Sequence, residues 1–322
     1  MQAVRGQLEV LTHREPLEAV IADPGSDPEL VARLEVLRDA RRFASEDLQL
    51  PDNDSYRSYA DIGRDYVVWN VIAAPEFSLQ PKTWCYIVVG CVAYRGYFSE
   101  QAARNAAGKL RERDFDVFVG GVSAYSTLGR FADPILNTMM QRDEIELVQM
   151  LFHELAHQRL YIKDDTEFNE SFASAVATVG LRRWLLARGN ADALERWQRR
   201  QARRAAVARL VEAAGDDLAH LYASGLPAAD MRQQKQQRLE QLSQALAERT
   251  GNPGWRGSGL NNARLASLRL YAGKVPGFLA MYEQCDGDLA CFYALAEELA
   301  ERPPASRDAA LRRTPAQGLP AS

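Results

Sequence analysis

The chain has 322 residues, of which 47% are hydrophobic and 25% charged, with a net charge of −4 at pH 7. That length suits one large or two modest domains with a real core, and the weak acidity gives no footing for nucleic acid as a partner. No run of about 18 apolar residues occurs, so no transmembrane helix is encoded, and the polar start MQAVRGQLEVLTHREP is unlike a signal peptide.

From Asp27, DPELVARLEVLRDARRFASEDL predicts an amphipathic helix: Leu30, Leu34, Leu37 and Phe43 recur near helical spacing, and Pro28 suits a first turn. A polar passage, PDNDSYRSYADIGRD, separates it from two strand-like runs, YVVWNVIAAPEF from Tyr66 and TWCYIVVGCVAYRGYF from Thr83, both rich in Val, Ile and aromatics. Ser99 opens a capped helix in SEQAARNAAGKLRER. A third strand region, DFDVFVGGVSAYSTLG, is interrupted by Gly120 and Gly121, which predict a bulge or a close backbone approach. Strong helices follow from Glu144 and from Glu167, the second with Phe168, Phe172, Val176 and Val179 near one face. Two long polar helices, over 192–223 and 228–249, predict an antiparallel hairpin broken at SGLP. The arginine-rich stretch from Arg196 reads as a solvated face of the first of them. A helical part runs from Asn261 to Glu301, and the Pro-, Ala- and Arg-rich residues after Arg302 predict disorder.

The expected fold class is α+β: a small, mainly antiparallel sheet over the helix from Glu144, then a mostly helical half with the long hairpin. Three regions are expected: 1–190 as an N-terminal α+β region, 191–302 as a helical region packing on its cleft, and 303–322 as a disordered tail. The four cysteines fall into two local pairs, Cys85 with Cys91 and Cys285 with Cys291. Such short loops close as disulfides where geometry allows, which would place the chain in an oxidising compartment. The alternative is four buried thiols.

The central signal is HELAH at residues 153–157. Positions one turn apart lie on one helix face, so His153 and His157 can converge on a single ion, one per chain, with Glu154 beside it as general base. Zinc takes imidazole readily, and a catalytic zinc keeps three protein ligands and one open position for water. Leu151, Phe152, Leu155 and Ala156 surround the polar triplet, and buried His, Glu and His are costly unless something satisfies them. Third-ligand candidates are Asp164, Asp165, Glu167 and Glu170. Glu170 is favoured, since it sits in the first turns of the next helix amid residues of a buried face. The competing reading for Glu170 is an acid that complements the helix dipole. His13 and His220 read as surface residues. A donor to the developing oxyanion is sought among Tyr125, Tyr94, Tyr97, Asn262 and Tyr271. The strand with Gly120, Gly121 and Val122 is the candidate for pairing with an extended substrate.

HELAHQRLYIKDDTEFNESFA resembles the bacterial putative aminopeptidase family, within the gluzincin-like zinc peptidases that use two His and a Glu. NDSYRSYADIGRDYVVWNVIAAPEFSLQPKTWC, GCVAYRGYFSE, VGGVSAYSTLGRF and LNNARLASLRLY are similar to it as well, so the resemblance runs from about residue 2 to about residue 300. It implies His153, His157 and Glu170 as ligands, Glu154 as catalyst, and a peptide or protein as substrate. It also implies a periplasmic envelope lipoprotein whose lipid-modified leader this sequence lacks; the other location considered is the cytoplasm. The expectation is a zinc peptidase working by metal-activated water. The alternative is a catalytically weak envelope binding or scaffold protein that retains the metal site.

Overall fold

In the computed structural model, residues 6, 9–86, 90–124, 126–257, 259–270 and 273–312 are described. The fold is α+β, with small, mostly antiparallel sheets and a helical C-terminal half. The chain divides into two compact units, each assembled from separated stretches: 1–69, 121–194 and 274–322 in the first, 70–120 and 195–273 in the second. This differs from a split into contiguous halves. Each hydrophobic face finds its cover in a segment distant in sequence, which periodicity does not record.

In the first unit a short sheet pairs β1 (Arg14–Pro16) antiparallel with β2 (Ser58–Ala60), and β2 parallel with β8 (Ile135–Leu136). Helix α1 (Leu17–Ala22) follows β1, and α2 (Pro28–Glu46) starts with Asp27 as N-cap and Pro28 in its first turn. Arg41 of α2 is buried, and its guanidinium donates to Ser55 O, Pro51 O and Asn53 O, tying down the polar loop before β2. The core of the unit is the pair α4 (Glu144–Arg159) and α5 (Thr166–Ala187), packed along each other and flanked by α2. Phe43 of α2 meets Phe152 of α4 and Trp184 of α5 at ring separations of 6.3 and 5.2 Å. Gly180 makes the approach possible: a Cβ there would lie 2.6 Å from Leu48 and 3.0 Å from Phe152.

Helices α9 (Val275–Gln284) and α10 (Leu289–Ala300) cover the other side of α5 with Phe278, Phe292 and Tyr293 around Phe168 and Phe172. A disulfide joins Cys285 to Cys291 across the turn between them. The expected disordered tail is corrected over Pro304–Arg312, which form helix α11; residues 313–322 lie outside the described residues. This helix packs so closely on Gly277 that a Cβ there would meet Leu311 O at 2.3 Å. No helix among the described residues is long and apolar enough to cross a membrane.

The second unit holds most of β3 (Val68–Pro75) and β7 (Phe115–Val122), which lie in a sheet of order β6-β3-β7 with β6 (Arg95–Tyr97). The hairpin of β4 (Trp84–Tyr86) and β5 (Gly90–Val92) is crossed by the disulfide Cys85–Cys91. Helix α3 (Glu100–Arg111) is capped by Ser99. The long helices α6 (Ala191–Tyr222) and α7 (Ala228–Thr250) form the expected hairpin over a core of Val211, Leu218, Leu221, Leu239, Leu242 and Leu246, with α8 (Asn262–Leu270) adding Leu265.

Candidate metal centre

The site is built by two consecutive helices of the first unit and the turn between them. Asp143 caps α4 by accepting from Glu146 N, and Glu144 and Glu146 lie in its first turn, where acids suit the helix dipole. The helix ends at Arg159 when Leu160 turns extended. Asp164 takes a left-handed conformation (φ 67°), which Asp tolerates better than most residues. Asp165 then caps α5, accepting from Phe168 N. Asn169 bonds the backbone of Ile162 at two points, donating to its carbonyl at 2.7 Å and accepting from its amide at 2.9 Å. These two hydrogen bonds across the turn fix how α5 leaves it, so the next residue, Glu170, faces back to α4.

The consequence is a compact buried triad. Glu170 Oε2 lies 3.2 Å from His153 Nε2 and 3.7 Å from His157 Nε2, and the two imidazole nitrogens are 3.2 Å apart. The rings stand nearly perpendicular, at 88°. His153, His157 and Glu170 thus present one ligand atom each to a common point, and the group could hold a metal ion. His157 Nδ1 is buried with no hydrogen-bond partner among the described residues, so that ring interacts through Nε2. Burial pushes the Glu170 carboxyl up, but the charges and hydrogen bonds of His157 and His153 outweigh it and hold it well below the usual carboxylate range. For His157, burial disfavours the charged ring, yet the Glu170 carboxylate prevails and raises its pKa above 6.5. Glu154 is buried beside them; burial raises its pKa, with His153 and His157 pulling the other way.

Other candidates are sorted by the same coordinates. Glu167 and Asp165 do not join the triad: both face Lys274, at 3.1 and 3.8 Å. Asn262 is corrected from a candidate oxyanion donor to a structural residue. It is fully buried in the second unit, where its side chain donates to Pro75 O and Glu76 O and accepts from Tyr222. Tyr94 packs on Ile72, Ala74 and Ala263, and the face of Tyr97 carries Arg95. Tyr125 and Tyr271 lie outside the described residues. Gly121 owes its missing side chain to Tyr66, whose ring a Cβ would meet at 2.4 Å, and Gly120 sits 3.0 Å by the same measure from Phe118. Val122 O already accepts from Val67 N, so it is not free to pair with a substrate. His13 and His220 are exposed.

Three features went unread in the sequence. Tyr161 stands with its ring 6.5 Å from that of His157, and burial together with the nearby Glu170 charge raises its pKa. Its place, four residues after His157, is the signal that was available. Asp133 is buried, accepts from the Thr127 amide and hydroxyl at 2.8 Å, and is pushed up to about 6 by burial, with Glu154 near enough to add to the rise. It thereby holds the segment after β7 in place, and Ser123 at the start of that segment touches Met150 of α4. Third, the buried Lys274 pairs with Asp308 at 2.6 Å and Arg307 with Asp165 at 2.8 Å, binding α11 to the first turn of α5.

The family model described as "Putative aminopeptidase" matches residues 1–311. The chain belongs to the putative aminopeptidase family. No curated protein and no solved structure matches it. For this family member, the name points to peptide hydrolysis, and the His153, His157 and Glu170 triad is where a metal ion could be held.

Proposed function

We propose that this protein is a zinc-dependent peptidase of the HExxH…E type, with His153, His157 and Glu170 as ligands and Glu154 as general base. The observation that carries the reading is the triangle of ligand atoms. Zinc with bonds of about 2.0–2.1 Å in tetrahedral geometry sets its ligand atoms about 3.3 Å apart; the edges here are 3.2, 3.2 and 3.7 Å. The donor set fits as well, since two imidazoles and one carboxylate leave the fourth position open. Bound there, zinc would supply a Lewis acid that polarises water and the scissile carbonyl.

The protein's own groups supply the proton traffic. Glu154 takes a proton from the attacking water and passes it to the leaving amine, and burial makes its carboxyl a better base than an exposed glutamate. Tyr161 is the hydroxyl we assign to the developing oxyanion, because among the described tyrosines it stands against a ligand ring and feels the Glu170 charge. The two disulfides support an oxidising compartment such as the cell envelope. Removal of an N-terminal residue is the specificity that the family name favours.

The test is Glu154→Gln. Metal content should stay the same while peptide turnover falls about 10³-fold; full activity in that variant would remove Glu154 from the mechanism. Tyr161→Phe should lower kcat with KM and metal content unchanged.

A further inference from the structure

A second site lies within the second unit. A cavity of about 380 Å³ is lined by Arg104 and Arg111 of α3, by Val117, Phe118 and Val119 of β7, by Gly259 and Asn261 just before α8, and by Arg264 of α8. The lining carries three guanidinium groups and no carboxylate, in a protein whose net charge is negative. Glu100 pairs with Arg104 and offsets that charge, which leaves Arg111 and Arg264 as the cationic groups of the lining, while Asp116 is engaged with Lys235 and the Asn262 amide. Arg111 has no ion-pair partner among the described residues. The guanidinium of Arg264 lies over two aromatic rings, 4.7 Å from the centre of Trp255 and 5.4 Å from that of Phe118, and its burial lowers its pKa. A guanidinium immobilised in this way gives up little freedom when it binds a planar anion.

The wall of the cavity is an edge. In the order β6-β3-β7, β7 has a strand on one side only. Asn261 donates to Val117 O from the other side, so Val117 turns its peptide groups away from β3, and by the period of two so does Val119. An extended chain laid along this edge could bond the main chain at Val119 and drop a side chain among the arginines.

We propose that this pocket binds the carboxylate of an acidic peptide segment lying along β7. The pairing is a fork-on-carboxylate contact combined with strand addition. It is independent of catalysis and stands whether or not the metal centre turns peptides over.

The test uses the full-length Glu154→Gln protein, so that no probe is cleaved, and two fluorescein-labelled, N-terminally blocked peptides, Val-Asp-Val-Asp-Val and Val-Asn-Val-Asn-Val. At low salt the acidic peptide should bind about tenfold more tightly, an advantage that shrinks as salt is added. Arg111→Gln, at an exposed position, and Arg264→Lys, which keeps the charge and loses the fork, each should remove most of that advantage and leave the amide peptide unaffected. Loss in either variant carries the proposal. Equal binding of the two peptides, an advantage intact in both variants, or no binding of the acidic peptide at about 1 mM overturns it. Phosphatidylglycerol vesicles form the third arm: sedimentation with them that Arg111→Gln abolishes, without any preference for the acidic peptide, would transfer the site to a membrane surface and overturn the peptide reading.

Discussion

Lys235 and Glu170 are both charged groups set among apolar side chains, one in each unit, and their surroundings are opposite in kind. Lys235 Nζ donates to Asp116 at 2.7 Å and to Glu76 O at 2.9 Å, and the same Asp116 oxygen accepts from Asn262 N. Donors meet acceptors, and the cluster closes on itself. Around Glu170 two imidazole nitrogens face each other at 3.2 Å, a carboxylate lies beside both, and a second buried carboxyl, Glu154, sits next to them. Here the ring nitrogens can satisfy the carboxylate only by carrying protons toward it, whereas a cation at the shared point would let all three atoms act as acceptors at once. Both clusters are polar and buried; only the second turns three ligand atoms toward one point, where a metal ion could be held.

The comparison can be broken by mutation. Lys235→Ala should strand Asp116 and cost about 3 kcal/mol of folding stability, the lower end for breaking a buried pair, with metal content unaltered. Thermal unfolding and metal analysis on the same sample check it, and lost metal would undo the contrast. Glu170→Ala should cut metal affinity by more than about 100-fold, beyond what removal of an outer partner achieves; a chelator competition that finds unchanged affinity moves the third ligand elsewhere. Asn169→Ala, which frees the turn without touching a ligand atom, should weaken metal binding about tenfold by the same assay. The smallest effect is graded. Proton and metal compete for His157 Nε2, and the Glu170 carboxylate raises the pKa of the folded ring, which strengthens the competition from protons. Apparent metal affinity should therefore fall on acidification, by about tenfold per pH unit once the pH is below that pKa. A flat titration from pH 8 to about 5 would show that His157 holds no metal.

The grouping of His153, His157 and Glu170 was legible because its logic is local. Histidines one turn apart share a face whatever the rest of the chain does, and Glu170 betrayed itself through Phe168 and Phe172, apolar neighbours that a solvated acid would not have. The helices from Pro28, Glu144 and Ala228 were legible for the same reason, since each carries its period within itself. What escaped was held by distant partners. The composition of Pro304–Arg312 reads as loose chain, but Lys274 and Asp165 supply the charges that anchor it, and a sequence does not say which charges meet. Asn262 looked like a free donor because its four partners come from three separate stretches. Tyr161 was passed over because it lies just past the end of α4, where helical spacing stops being a guide. The two interleaved units are likewise products of long-range covering.

The clasp from α11 to the start of α5 makes the setting of Glu170 depend on residues more than 130 positions further along the chain. Arg307 pairs with Asp165, five positions before Glu170, and Asp308 pairs with Lys274, which in turn meets Asp165 and Glu167, so a nick near Arg302 that freed α11 would loosen the turn from which Glu170 projects. Whether α11 is intact should therefore be checked alongside the histidines in any preparation used for metal analysis.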